Sequence, residues 1–181
     1  MDSISDNALM LKVKNGDFDK LGLLFERYHR RLYHFFYRLN RRRDVSEDLV
    51  QGVFERILKY RSSYTADGSF STWIFQIARN LHADHYRKHQ NEENINDFLD
   101  MDQLVNEDEN DQPGKEELKL LQRALDQLDS TKKQALLLSR FQGFKYKEIA
   151  EIMDCSEGAV KVRIFRAIRE LEVLIKELKG V

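Results

Sequence analysis

A single proline and a single cysteine in 181 residues exclude two large classes of protein at once. Cys155 alone provides neither an internal disulfide nor a cysteine cage for zinc. One proline and eight glycines are too few for a chain of short strands and tight turns, which points to helices instead. Long apolar runs are missing as well: stretches such as Ala135 to Leu138 fall far short of the ~20 residues that cross a bilayer, so no membrane insertion is expected. The start, Met1 to Asp6, is acidic and has no apolar signal-peptide core, so the expected compartment is the cytoplasm. Gly-rich phosphate loops, a nucleophile elbow and paired-carboxylate sites are also lacking, which argues against an enzyme and against any bound cofactor.

What is present is charge, unevenly spread. The net value of −1 conceals 16 Lys/Arg against 11 Asp/Glu in residues 1–90, 1 against 9 in residues 91–115, and 13 against 11 in residues 116–181. Two mildly basic blocks flank an acidic strap. Such a chain binds DNA weakly by itself, because phosphate neutralisation by Lys/Arg supplies most non-specific affinity.

Hydrophobic spacing divides the chain further. Phe18, Leu21, Leu24, Phe25, Tyr28, Leu32, Phe35, Phe36 and Leu39 recur every three or four residues, the mark of one long amphipathic helix. Asp44 and Glu47 have capping-box spacing ahead of a second helix through Val45 to Leu58, with Gly52 in its interior. A third helix is expected to be capped by Ser71, stapled by Phe70 and Phe75, with Trp73, Ile74, Ile77, Ala78 and Leu81 on its core face. From His89 to the turn pair Pro113 and Gly114 the apolar pattern gives way to acids and amides, a flexible, self-repelling linker. Helices from Lys115 to Leu128 and through Ala135 to Phe141 then precede a short helix, Tyr146 to Met153, a turn at Asp154 and Cys155, and a long helix capped by Ser156. The expected fold is therefore all-α: two small helical domains, residues 1–90 and 116–181, joined by an acidic linker over 91–115. The second domain is expected to be a helix-turn-helix.

Three constellations carry chemistry. Ala150 is small where two helices cross, and Asp154 tolerates the left-handed turn that follows. With Val160, Ile164 and Ala167 inward, the other side of the last helix presents Lys161, Val162, Phe165, Arg166 and Arg169, a basic face suited to phosphates, base edges and thymine methyls. On the third helix Gln76, Arg79, Asn80, Ala83 and Arg87 form a stripe flanked by Phe75 and Tyr86; cations, amides and rings on one face suit an unpaired strand. The preceding loop, with Tyr64 and Asp67, offers a place for an unstacked base. On the second helix Glu47, Asp48, Gln51 and Glu55 make an acidic face, either a turn favoured by the helix dipole or a docking face for a basic partner. Taken singly, each of the last two also reads as a solvated face.

Two rival classes compete for these residues. His82, Asp84, His85 and His89 have the spacing of helix-borne metal ligands, but Arg79, Arg87 and Lys88 beside them repel a cation, so no metal is expected. A conventional helix-turn-helix regulator with an N-terminal helical sensor or dimerisation domain accounts for Tyr146 to Arg169. It leaves the acidic helix and the Gln76 to Arg87 stripe unexplained.

Three runs together resemble one family. Asp44 to Gln51, Phe70 to Asn80, and Tyr146 to Met153 with Val160 to Arg163 are similar to the σ70 family's extracytoplasmic-function group, in order and with the intervening linker. The resemblance spans Asp17 to about Ile175. It implies a sigma factor that directs bacterial RNA polymerase to promoters, residues 1–90 being region 2 and residues 116–181 region 4. Asp44, Glu47, Asp48, Gln51, Phe54 and Glu55 are then expected to dock on the β′ clamp of core polymerase, region 4 meeting the β flap. Tyr64, Trp73, Gln76, Arg79, Asn80 and Arg87 are expected to melt and read the minus-ten element. Glu157, Gly158, Lys161, Val162, Phe165 and Arg166 are expected to read the minus-thirty-five element. An anti-sigma partner that clamps both domains is also implied. Gly52 and Asp154 depart from the family's usual Glu and Gly.

Overall fold

Ser5 opens the first helix, its hydroxyl accepting the Ala8 amide at 3.2 Å. This helix, α1 (Asp6–Lys14), stops ahead of Gly16, whose φ of +101° lies where a side chain would be strained. The computed structural model describes residues 4–89 and 115–180. Seven more α-helices follow: α2 (Asp19–Asn40), α3 (Arg43–Tyr60), α4 (Phe70–His89), α5 (Lys115–Asp126), α6 (Ser130–Arg140), α7 (Tyr146–Met153) and α8 (Glu157–Lys179), with a 3-10 turn over Arg61–Ser63. No strand occurs among the described residues, and the fold is all-α as the spacing predicts. The expected linker lies outside the described residues apart from Lys115.

Helix α1 is the element the periodicity does not announce, because three apolar residues, Leu9, Met10 and Val13, are too short a pattern. All three are nonetheless fully buried. Tertiary contacts hold so short a helix where propensity alone would not. The Tyr28 hydroxyl donates to Asp6 at 2.6 Å. Asn7 accepts from the Tyr64 hydroxyl and the Phe70 amide, both at 2.8 Å, and donates to the Gly68 carbonyl at 2.9 Å. One amide side chain thus ties the whole loop before α4 to the N-terminus.

Helix α2 buries Leu24, Tyr28, Leu32, Phe35 and Phe36 as its spacing requires, but Phe18 and Phe25 from the same stripe are exposed. Two expected caps are displaced. Helix α3 begins at Arg43, and Asp44 inside its first turn accepts from Arg42 at 2.8 Å, so the capping box does not form. Helix α4 begins at Phe70, and Ser69 rather than Ser71 accepts the Thr72 amide, at 3.2 Å. The staple fails with it: Phe70 packs against Tyr28 and Trp73, while Phe75 is fully buried between Phe35 and Phe144.

The second domain follows its sequence closely. Asp129 caps α6 through the Thr131 and Lys132 amides. Asp154 takes φ 49° and ψ 57°, the left-handed turn, and Ser156 accepts the Ala159 amide at 3.1 Å to start α8. Caps of this kind are worth about 1 kcal/mol each.

The two domains pack together, α4 against α7 and α2 against α6. The Phe144 ring meets Phe75 edge-on at 5.1 Å, an arrangement worth about 0.5–1.5 kcal/mol beyond burial. Arg31 lies over both rings, at 5.3 and 5.8 Å, and donates to the Gln142 carbonyl at 3.2 Å. Lys133 is buried and reaches Asp126 at 2.8 Å, while burial pulls its pKa below the ordinary lysine value.

Candidate nucleic-acid interface

Helix α8 shows one unbroken outward face. Val160, Ile164 and Ala167 are buried, whereas Glu157, Gly158, Lys161, Val162, Phe165 and Arg166 are all exposed, Phe165 at 60%. An exposed phenylalanine has no packing reason to be there. Arg169 covers its ring at 5.3 Å, and Lys161 is steadied by Glu157 at 3.4 Å, so cation and ring are presented side by side. Exposed residues at the capped N-terminus of a helix also place free amides and the positive end of its dipole toward any phosphate.

Helix α4 divides its residues three ways. Phe70, Thr72, Ile74, Phe75, Ala78 and His82 are buried, while Trp73, Ile77 and Leu81 of the expected core face pack half-buried against the core. His82 stacks on Phe36 at 6.4 Å, and burial, with His85 and Lys133 adding to it, pulls its pKa down to about 4. Trp73, Gln76, Asn80 and Arg87 instead border an open cavity of about 500 Å³, closed on the α3 side by Arg56 and Tyr60. Arg79 turns away from this cavity and donates to Gln134 of α6 at 3.2 Å. Tyr64 is only 3% exposed, locked by Asn7 and packed on Trp73 at 4.9 Å. Burial, reinforced by Asp6, pushes its hydroxyl up to about 12. Tyr64 is thus a core group in this structure. Asp67 remains exposed in the loop.

Helix α3 presents Asp44, Glu47, Asp48, Gln51 and Glu55 to solvent, but Phe54 is 7% exposed beneath Phe25. The Asp44 carboxyl is held below its ordinary range by the hydrogen bond from Arg42. Beside this face a hollow between α2 and α3 is lined by His29, Arg30, Tyr33, His34, Glu47 and Val50. The sequence pattern does not find it, since it is made by two helices. At Gly52 an added Cβ would meet Leu81 Cδ2 at 2.9 Å, so the glycine sits where α4 crosses α3.

The histidine cluster does not assemble. His82 points into the core, Asp84 accepts from Arg56 and Arg87, and no group of three metal-ligating side chains occurs among the described residues.

A capped helix-turn-helix with an exposed basic face is the architecture of a DNA-binding protein. Comparison with known proteins places it more narrowly. Family models for Sigma-70 region 2 and for Sigma-70, region 4 match residues 24–92 and 118–171. The ECF RNA polymerase sigma-E factor of Haemophilus influenzae is 30% identical, over 98% of each chain, and the ECF RNA polymerase sigma factor SigX of Bacillus subtilis is 30% identical over 86% of each. Among solved structures, CnrH in complex with the cytosolic domain of CnrY has a TM-score of 0.74 at 23% identity, covering 95% of this chain and 97% of that one, a likeness of fold. The sigma factor RpoE, in complex with the anti-sigma factor NepR from Bartonella quintana, has a TM-score of 0.67 at 26% identity, covering 88% and 97%. The chain belongs to the extracytoplasmic-function group of the Sigma-70 family. Its role is the family's: it directs RNA polymerase to promoters in transcription initiation.

Proposed function

We propose a division of labour in which residues 1–90 dock on core polymerase and open the minus-ten element, while residues 116–181 read the minus-thirty-five element as duplex. The observation that carries it is the α8 face: six residues singled out for groove contact are all exposed on one capped helix. Lys161, Phe165 and Arg166 then meet base edges, with Val162 against a thymine methyl and Glu157 and Gly158 at the helix start. On α4, Trp73, Gln76, Asn80 and Arg87 receive an unstacked base and its strand in the cavity, where concavity, rings and cations coincide. Asp44, Glu47, Asp48, Gln51 and Glu55 face the β′ clamp through charge complementarity, with Phe54 supporting them from below. Region 4 meets the β flap.

Minus-ten and minus-thirty-five elements lie ~25 base pairs apart, about 85 Å along B-DNA. A chain in which α4 touches α7 cannot span that distance, so the domain interface opens on the promoter. The stretch between His89 and Lys115 reaches about 85 Å at full extension. In the closed form Arg79 is occupied by Gln134, and opening releases it to the strand.

This reading makes the chain a non-catalytic factor that works where polymerase and chromosome meet, in the bacterial cytoplasm. No described helix is long and apolar enough to cross a membrane. Relatives solved with anti-sigma factors support such a partner here. A conventional regulator is not favoured, since it gives the acidic α3 face and the α4 cavity no task. Transcription from a promoter library with purified core polymerase tests the proposal. A selected two-part promoter supports it, and template-independent background overturns it.

A further inference from the structure

The hollow between α2 and α3 adjoins the acidic face of α3, and none of the roles above uses it. Its volume is about 570 Å³. His29, Arg30, Tyr33 and His34 line it from α2, and Glu47 and Val50 from α3. Glu47 belongs to both surfaces, since it also stands on the exposed face with Asp48, Gln51 and Glu55. A partner seated on that face therefore comes against the two histidines.

Neither ring serves the core, whose share of α2 is Leu24, Tyr28, Leu32, Phe35, Phe36 and Tyr37. The His29 ring stacks on Phe25 at 4.9 Å, and its Nδ1 lies 2.8 Å from the Phe25 carbonyl oxygen. A carbonyl only accepts, so in the neutral ring Nδ1 carries the proton and Nε2 keeps a lone pair that takes up a second one. His34 sets its ring edge-on to Tyr33 at 5.7 Å. Partial burial, with Arg38 and Arg30 adding to it, holds its pKa below the ordinary histidine value.

The charged groups around the pair are Arg30 and Arg38 on α2, and Glu47 and Arg43 on α3, the last two bearing on Tyr33 between the rings. With both histidines neutral, Arg30 and Glu47 balance across the hollow, and the acids of α3 set the sign of the surface beside it. Protonation places two further positive charges next to Glu47. Histidine is the side chain whose ordinary titration falls between about pH 5 and 8, so these rings are the groups of the hollow that change charge there.

We infer that this hollow makes docking on core polymerase acid-sensitive: with His29 and His34 neutral the acidic α3 face holds a basic partner, and with both protonated the same surface repels it. This rests on the reading of that face as the polymerase-docking surface. It gives α2 a part in docking that no spacing of apolar residues announces.

The test titrates fluorescently labelled full chain with core polymerase at about pH 7.5 and about pH 5.5. Wild type is compared with the double variant His29→Gln/His34→Gln, each against its own affinity at the higher pH. Wild-type affinity should fall about fivefold or more beyond any fall in the double variant, the scale of two partly screened charges at the edge of an interface. Titration of the polymerase, and of His82, is common to both proteins and cancels. The variant His29→Lys/His34→Lys, charged at either pH, should dock weakly at both. Equal pH dependence in wild type and the glutamine variant overturns the inference, as does docking of the lysine variant at wild-type strength at the higher pH with a native circular dichroism spectrum. Should the double variants prove unfolded, His34→Gln on the exposed part of α2 decides: a reduced pH dependence supports the switch, and an unreduced one overturns it. Failure of the wild type to bind core at either pH strikes at the docking reading of α3, and the inference falls with it.

Discussion

Helix α8 carries its proposed contact residues on open surface, whereas α4 spreads its own among a cavity, a core and a domain boundary. The difference suits the two substrates we propose for them. A duplex groove accepts a protruding helix whose side chains stand free, and α8 is ready for it before any partner arrives. An unstacked base needs a recess with rings and donors on its walls, and a recess is built by neighbours: α3 supplies Arg56 and Tyr60, and α6 restrains Arg79. In the proposed reading the duplex surface belongs to one helix, whereas the single-strand surface is shared by α3, the turn after it and α4.

The largest expected effect breaks the first domain's attachment without touching the second. Asp48→Arg with Gln51→Arg, both exposed, should weaken core-polymerase binding by about 100-fold or more, since like charges placed against a partner cost several kcal/mol. A pull-down with circular dichroism checks this, and retained affinity with a native spectrum removes α3 from the interface.

Acid separates the domains next. All five histidines lie in the first domain, and only His82 among them is buried. Its pKa falls from 6.5 to about 4 on folding, so between those values the unfolded chain binds the extra proton. Stability is full above about pH 6.5 and declines as pH drops toward 4, by about 3 kcal/mol. Urea unfolding at pH 7 and 4.5 should show the loss in wild type, and His82→Leu should flatten it.

Phe144→Ala probes the boundary between the domains. Removing a ring that is 7% exposed against Phe75 should cost roughly 2 kcal/mol of domain association, less than the 3–5 of a single packed core. Small-angle X-ray scattering should report a larger radius of gyration with unchanged helicity. A radius equal to wild type means other contacts suffice to hold the domains.

The smallest effect is at Gly52. Alanine there gains up to about 1 kcal/mol of helix propensity but pushes on the flexible end of Leu81, so the net change should be near zero. In a Leu81→Ala background the full gain should appear, and denaturant midpoints check both.

How much of this was legible in the sequence follows from the same contrast. The second domain follows its pattern because local signals define it: Asp154 takes the left-handed turn, Ser156 caps, and an amphipathic period separates Ile164 from Phe165. The first domain is less legible because distant residues decide it. Nothing adjacent marks α1, whose Asn7 is bonded to residues some sixty positions away. Tyr64 looks like a loop aromatic until that bond buries it. Phe75 reads as a flank of the polar stripe because its partner, Phe144, belongs to another domain. Arg56 carries no sign at all, since its neighbours come from α4.

The measurement that bears most directly on the central claim compares Arg166→Ala with Asn80→Ala on closed duplex and on a template already melted at the start site. Arg166→Ala should cost roughly 1–3 kcal/mol of discrimination at the upstream element on both templates, because its target stays double-stranded. Asn80→Ala should form closed complexes normally, fail to open them, and regain most of its activity on the melted template. Equal rescue of both variants, or of neither, would contradict the assignment of duplex to α8 and single strand to α4.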